Sequence, residues 1–125
     1  MKRIFALVMV MIFVLSLVGM SVAELRPLSK IMVLRLATMQ KVIAGLALSD
    51  FDGVKMVADK FASTVKADTA GLPSEPLKEA NTNLEKAIEG FSQAVGKKDP
   101  SEIVGKFGGV IAACYGCHAK FRDPK

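Results

Sequence analysis

From residue 27 onward the apolar positions recur in threes and fours, the interval that sets side chains on one face of a helix. The first stretch runs Leu28, Met32, Leu36, Met39, Ile43, Leu46, and the second Phe51, Val54, Ala58, Phe61, Val65. The third, with Leu77, Leu84, Ile88, Phe91 and Val95, makes the cleanest stripe. The fourth reads Ile103, Phe107, Val110 or Ile111, Cys114, Cys117 or His118, Phe121. No stretch makes a convincing strand.

Polar breaks separate the stripes. "SDFD" offers Ser49 as an N-cap with Asp52 three residues on, a capping-box arrangement. "AGLPSEP" supplies Ser74 as a cap and Pro76 in a first turn; "DPSE" supplies Asp99 as a cap, Pro100 at the first helical position and Glu102. Pro124 ends the last helix. These signals predict helices over 27–48, 50–69, 75–96 and 100–122. Connections this short between helices of about 20 residues make neighbours antiparallel. The expected fold is all-α: an antiparallel up-down-up-down four-helix bundle, one domain over 24–125. A helical repeat array is the weaker alternative, since no sequence period is visible.

Residues 1–23 follow another logic. Lys2 and Arg3 precede the 17-residue apolar stretch "IFALVMVMIFVLSLVGM", and "SVA" sets Ser21 and Ala23 at the small positions of a cleavage site. That is the layout of a signal peptide cut after Ala23. An uncleaved membrane anchor is the alternative, at the short end of what spans a bilayer. After cleavage no stable membrane span is expected, and 125 − 23 = 102 residues remain, enough for one small domain.

Charge narrows the partners. The mature chain holds 15 basic and 12 acidic residues (17 − 2 against 12), interspersed and with no basic block. Nothing there argues for nucleic acid. An exported chain is in oxidising surroundings, where two cysteines pair by default. A disulfide closing so short a loop as Cys114 to Cys117 would be a poor staple, so the pair points to another use.

Both cysteines and the only histidine fall in "CYGCH". Cys-x-x-Cys-His is the attachment signature of c-type haem. Two thiols add to the two vinyl groups on one porphyrin edge, and the next residue offers its imidazole to the iron. On a helix, positions 114, 117 and 118 are i, i+3 and i+4 and leave from one face. Cys114 and Cys117 are therefore the candidate thioether residues of one covalent haem c, and His118 the proximal iron ligand. A thioredoxin-like pair would need a strand ahead of the helix. A structural zinc site would need four ligands. Gly105, Gly108 and Gly109, mid-helix, leave room either for the porphyrin or for a close neighbouring helix.

"CYGCHAKFR", closing the last helix of an exported helical bundle, resembles the cytochrome c-prime family and its low-spin relatives. The family pattern Cys-x-x-Cys-His-x-x-[Phe/Tyr]-Arg is matched by Cys114, Cys117, His118, Phe121 and Arg122. The resemblance is specific over this motif and architectural over the rest. It implies a covalent haem in a four-helix bundle, often a homodimer, in the bacterial periplasm. It also implies a sixth ligand from the first helix.

There Met32 and Met39 lie on the predicted stripe, seven residues and so roughly 10 Å apart along the axis. His118 stands 19 residues past Asp99, and counting 18 back from Asp50 reaches Met32. "RLATMQ" instead resembles the family's Arg-x-x-x-[Leu/Met], which selects Met39 and sets Arg35 beside a haem propionate. Met32 is the first choice and Met39 the alternative. Both are also ordinary core residues in character.

Methionine opposite histidine gives six-coordinate iron suited to one-electron transfer with redox partner proteins. Without that methionine the iron is five-coordinate, and the chain binds NO or CO as the typical c-prime proteins do. A haem-free structural bundle is the third reading. No acid–base pair is aimed at a distal site, so the chain is not expected to be an enzyme. For a homodimer the outer faces of the first two helices offer Val33, Val42 and Met56, residues that equally suit a core.

Overall fold

The structure, a computed structural model, describes residues 27–121. They form four helices, α1 Pro27–Ala47, α2 Phe51–Thr69, α3 Glu75–Lys97 and α4 Pro100–Phe121, with no strand among the described residues. The expected signal segment 1–23, Arg122 and Pro124 lie outside the described residues. Two compact units divide between Leu34 and Arg35. Of the N-terminal unit the described part is the opening of α1, residues 27–34, in which Leu28, Val33 and Leu34 are exposed. All else described here belongs to the second unit. None of the four helices is long and apolar enough to cross a membrane.

In the second unit α2 packs on α3 and α3 on α4. Val54, Ala58, Phe61 and Val65 of α2 meet Leu84, Ile88, Phe91 and Val95 of α3, as the periodicity predicts, and Ile103 and Val110 join from α4. The Phe91 and Phe107 rings tilt together with centroids 5.5 Å apart. From α1 only Val42 enters this buried cluster, 1 % exposed, so it belongs to the core and not to an outer face. Met39 and Leu46 pack around the cluster half-buried, whereas Leu36 and Ile43 of the predicted stripe are exposed. The face that α1 turns inward is thus centred on Arg35 and Val42, not on Leu36 and Ile43.

Ends are set by local chemistry. Asp50, not Ser49, caps α2: its carboxylate accepts from the Gly53 N–H at 3.0 Å. Ser49 is consumed by the end of α1, left-handed at φ 56°, while the Asp50 N–H donates to the Gly45 carbonyl at 2.9 Å. Such a conformation costs a residue with a Cβ roughly 1–2 kcal/mol, and the carbonyl it satisfies offsets part of this. Lys98 closes α3 the same way at φ 58°. Asp99 starts α4 as expected, accepting from the N–H groups of Ser101 at 2.8 Å and Glu102 at 3.1 Å. Ser74 is the α3 N-cap by backbone, without a side-chain cap bond.

Candidate functional site

The last two turns of α4 carry Cys114, Cys117 and His118, all half-buried. Helical pitch sets them about 60° and 40° to either side of Cys114, so the three leave one face together. Cys114 is anchored against the core cluster. Cys117 looks toward the start of α3 across a shallow groove of about 260 Å³ that Pro76, Ala80 and Asn83 also line. On the other flank His118 continues a line of Val104, Ile111 and Tyr115, which are exposed at 72 %, 48 % and 74 %. Above the turn at Asp99, that flank of α4 is apolar and uncovered.

The thiols are free of a disulfide. Burial pushes both up from the usual cysteine range, and the Arg35 charge pulls back against it. Both are therefore protonated near neutral pH. Redox-active Cys-x-x-Cys pairs work through the opposite shift, a thiolate stabilised below its usual value. Among the described residues no group of three or more His, Cys, Asp or Glu converges as the ligand set of a bare metal ion.

Sequence reasoning gave Arg35 one role, beside a propionate, and missed another. Its Nη2 donates to Asp68 Oδ2 at 3.0 Å and to Asn81 Oδ1 at 2.7 Å, tying α1 to the end of α2 and the start of α3. Asn81 is buried; its Nδ2 donates to the Val65 carbonyl at 2.6 Å and to Thr69 Oγ1 at 2.8 Å. The available signals were an arginine inside an apolar stretch and an asparagine on the inner stripe of α3, between Leu77 and Leu84. One donor of this network is left over. Arg35 Nε is buried without a hydrogen-bond partner, a costly state for an ionised group.

Three features therefore fit a covalently held haem: two protonated free thiols, an imidazole on an uncovered apolar flank, and a buried cationic donor close enough to act on both thiols. The methionines stand differently. Met39 is half-buried against the core cluster to which Cys114 also packs. Met32 is half-buried in the opening turns of α1, in the N-terminal unit. The mid-helix glycines do not serve a close neighbouring helix: a Cβ added at Gly105, Gly108 or Gly109 meets nothing within 4 Å. Compared with known protein families, curated proteins and solved structures, the chain matches none.

Proposed function

We propose that this chain is an exported mono-haem c-type cytochrome that carries single electrons between redox partner proteins. The observation that carries the reading is the joint placement of Cys114, Cys117 and His118 on one face of α4, thiols free, with Arg35 nearby. The short connections, three residues after α1, five after α2 and two after α3, support an antiparallel up-down-up-down bundle around that face.

In this reading Cys114 and Cys117 would hold the haem, each S–H adding across one vinyl double bond to give a thioether with no leaving group. Their protonated state suits the proton bookkeeping of that addition. His118 would offer its imidazole nitrogen to the iron, and the unpartnered Arg35 Nε–H would be available to a carboxylate of the group. Such a haem, when bound, would supply an Fe(III)/Fe(II) couple, with a potential raised where a methionine joins the histidine as ligand. A second ligand, a sulfur, would come from Met32, which the level count from Asp50 favours, or from Met39, which the motif and its packing on the core cluster that Cys114 also touches favour. Export follows from residues 1–23, and a periplasmic location from the resemblance of "CYGCHAKFR".

The test is the mass and absorption spectrum of protein made with a working export and c-type maturation system. Expected are a mass increased by one haem that survives acid extraction from denatured protein, and a low-spin spectrum insensitive to CO. Loss of that spectrum in Met32→Ala but not Met39→Ala names Met32; the reverse names Met39. A high-spin ferric spectrum with CO or NO binding makes the chain a gas binder instead. Colourless protein at the apoprotein mass leaves only a structural bundle and ends the haem reading.

A further inference from the structure

One polar cluster in the second unit joins α1, α2 and α3 through side chains, with buried Asn81 at its centre. Asn81 Nδ2 donates to the Val65 carbonyl at 2.6 Å and to Thr69 Oγ1 at 2.8 Å. The Thr69 hydroxyl itself donates to that carbonyl at 3.2 Å. A carbonyl only accepts and a guanidinium only donates, so the amide has one permitted orientation. Oδ1 is left toward Arg35 and takes Nη2 at 2.7 Å. The same Nη2 donates to Asp68 Oδ2 at 3.0 Å. An arginine and a carboxylate ordinarily pair through two parallel N–H bonds. Here the Asp68 contact is a single bond, and Nε–H is buried with no partner although the carboxylate is beside it.

We propose that Asn81, steadied by Thr69, is a positioning residue: it keeps Arg35 out of a two-bond pair with Asp68 and so reserves Nε–H for a carboxylate of the haem. This rests on the haem reading. The Arg35 charge acts on both thiols, so a group tied to them would lie within its reach. Asp68 has the opposing task, since its carboxylate balances the guanidinium beside the site. The two residues therefore tune one arginine in opposite directions. With Asn81 gone, Arg35 closes on Asp68 through two nitrogens, and the haem carboxylate would lose its donor. The negative charge of that carboxylate is then less opposed, which favours the ferric state. With the Asp68 charge gone, the guanidinium is unopposed and the ferrous state is favoured.

Redox titration beside urea denaturation of the haem-loaded variants tests this. Asn81→Leu introduces no charge, so any change it makes in the potential must come through its neighbours. It should lower the midpoint potential, and Thr69→Val, which removes only the hydroxyl steadying the amide, should lower it less. Asp68→Asn should raise it. In an Arg35→Met background Asn81→Leu should no longer move the potential, which is the coupling a double-mutant cycle isolates. A purely structural Asn81 would weaken resistance to urea and leave the potential where it was, and that result overturns the proposal. So does a shift of equal size in the absence of Arg35. If Asn81→Leu does not fold, Thr69→Val decides by the same two comparisons. Colourless wild type ends the haem reading and this proposal with it, whereas wild type that loads haem while its potential ignores Asn81→Leu and Thr69→Val ends this proposal alone.

Discussion

The inner helices α2 and α3 and the outer helices α1 and α4 are built on opposite plans. Charged residues make up six of the 19 positions of α2 and seven of the 23 of α3, but only three of 21 in α1 and three of 22 in α4, His118 aside. The inner pair spends its charges on one side and its large apolar residues on the other. Among exposed large apolar side chains it contributes Met56 alone. Most of the rest come from α1 and α4, where Leu36, Ile43, Val104, Ile111 and Tyr115 face outward. The inner pair thus has what a helix needs to fold against a neighbour. The outer pair has more apolar surface than the fold consumes, and it also carries the two thiols, the imidazole and the unmatched Arg35 donor.

The sharpest break between the two plans should appear in the core. Phe91→Ala removes a ring 2 % exposed and in contact with Phe107, and should cost about 3–5 kcal/mol. Ile111→Ala, on the uncovered flank of α4, should cost under about 1 kcal/mol in haem-free protein, since half of that side chain already faces solvent. Urea denaturation of both variants measures the difference. A haem-loaded protein in which Ile111→Ala becomes costly would mark that flank as covered by the cofactor.

Arg35 comes next because it joins the two plans. It is 12 % exposed in its side chain and Asp68 22 %, so Arg35→Met strands a half-buried carboxylate and one acceptor of buried Asn81. For a fully buried pair the loss would be larger; with this exposure about 1–3 kcal/mol is expected. If Arg35 also serves a haem carboxylate, Arg35→Met shifts the midpoint potential of the loaded protein, whereas a purely structural arginine changes only the unfolding curve. Arg35→Lys keeps the charge but not the fork, and should restore less than half of the stability.

How much of this could be read along the chain follows from the same contrast. The spans of α2, α3 and α4 were legible to within a residue, because charge and apolar periodicity agree there and Asp99-Pro100 and Ser74 punctuate them. In α1 the periodicity had no direction to give: with apolar residues on every side, the stripe through Leu36 and Ile43 fits as well as the true inward face through Arg35 and Val42. The start of α2 was misassigned because Ser49 and Asp50 are both good caps. Only the backbone shows that the end of α1 forces Ser49 to positive φ. The Cys114–Cys117–His118 cluster stood out because those residue types occur nowhere else in the chain. The Arg35–Asp68–Asn81 link did not, since it joins positions 33 and 46 residues apart through side chains alone.

Glycine gives a sign test at smaller energies. Gly105→Ala and Gly108→Ala on α4 should each stabilise the chain by up to about 1 kcal/mol, because alanine is the better helix former and the added methyl has open space. Gly45→Ala should do the reverse, since its Cβ would lie 2.5 Å from Val54 Cγ2 where α1 meets α2. Thermal melts separate the signs. A stable Gly108→Ala protein that fails to load haem would show that the missing side chain had made room for the porphyrin.

The smallest effect belongs to the charged outer side of the inner pair. Asp59 accepts from Lys55 Nζ at 2.6 Å and from the hydroxyl of buried Ser92, which binds α2 to α3. The Lys55 hydrogen bond first, and then the Ser92 bond, hold its carboxyl below the usual carboxylate value against a small opposing desolvation. A carboxyl depressed on folding stabilises the folded state above its unfolded pKa of about 3.9 and loses that contribution as pH falls through the folded value. Solvent exposure limits the gain to roughly 0.3–1 kcal/mol. Asp59→Asn should therefore be less stable than wild type by that amount at pH 7, with the gap closing as pH drops below about 4. A gap that instead persists at low pH would mean that the asparagine disturbs the helix itself and that the charge of Asp59 adds nothing to the pairing of α2 with α3.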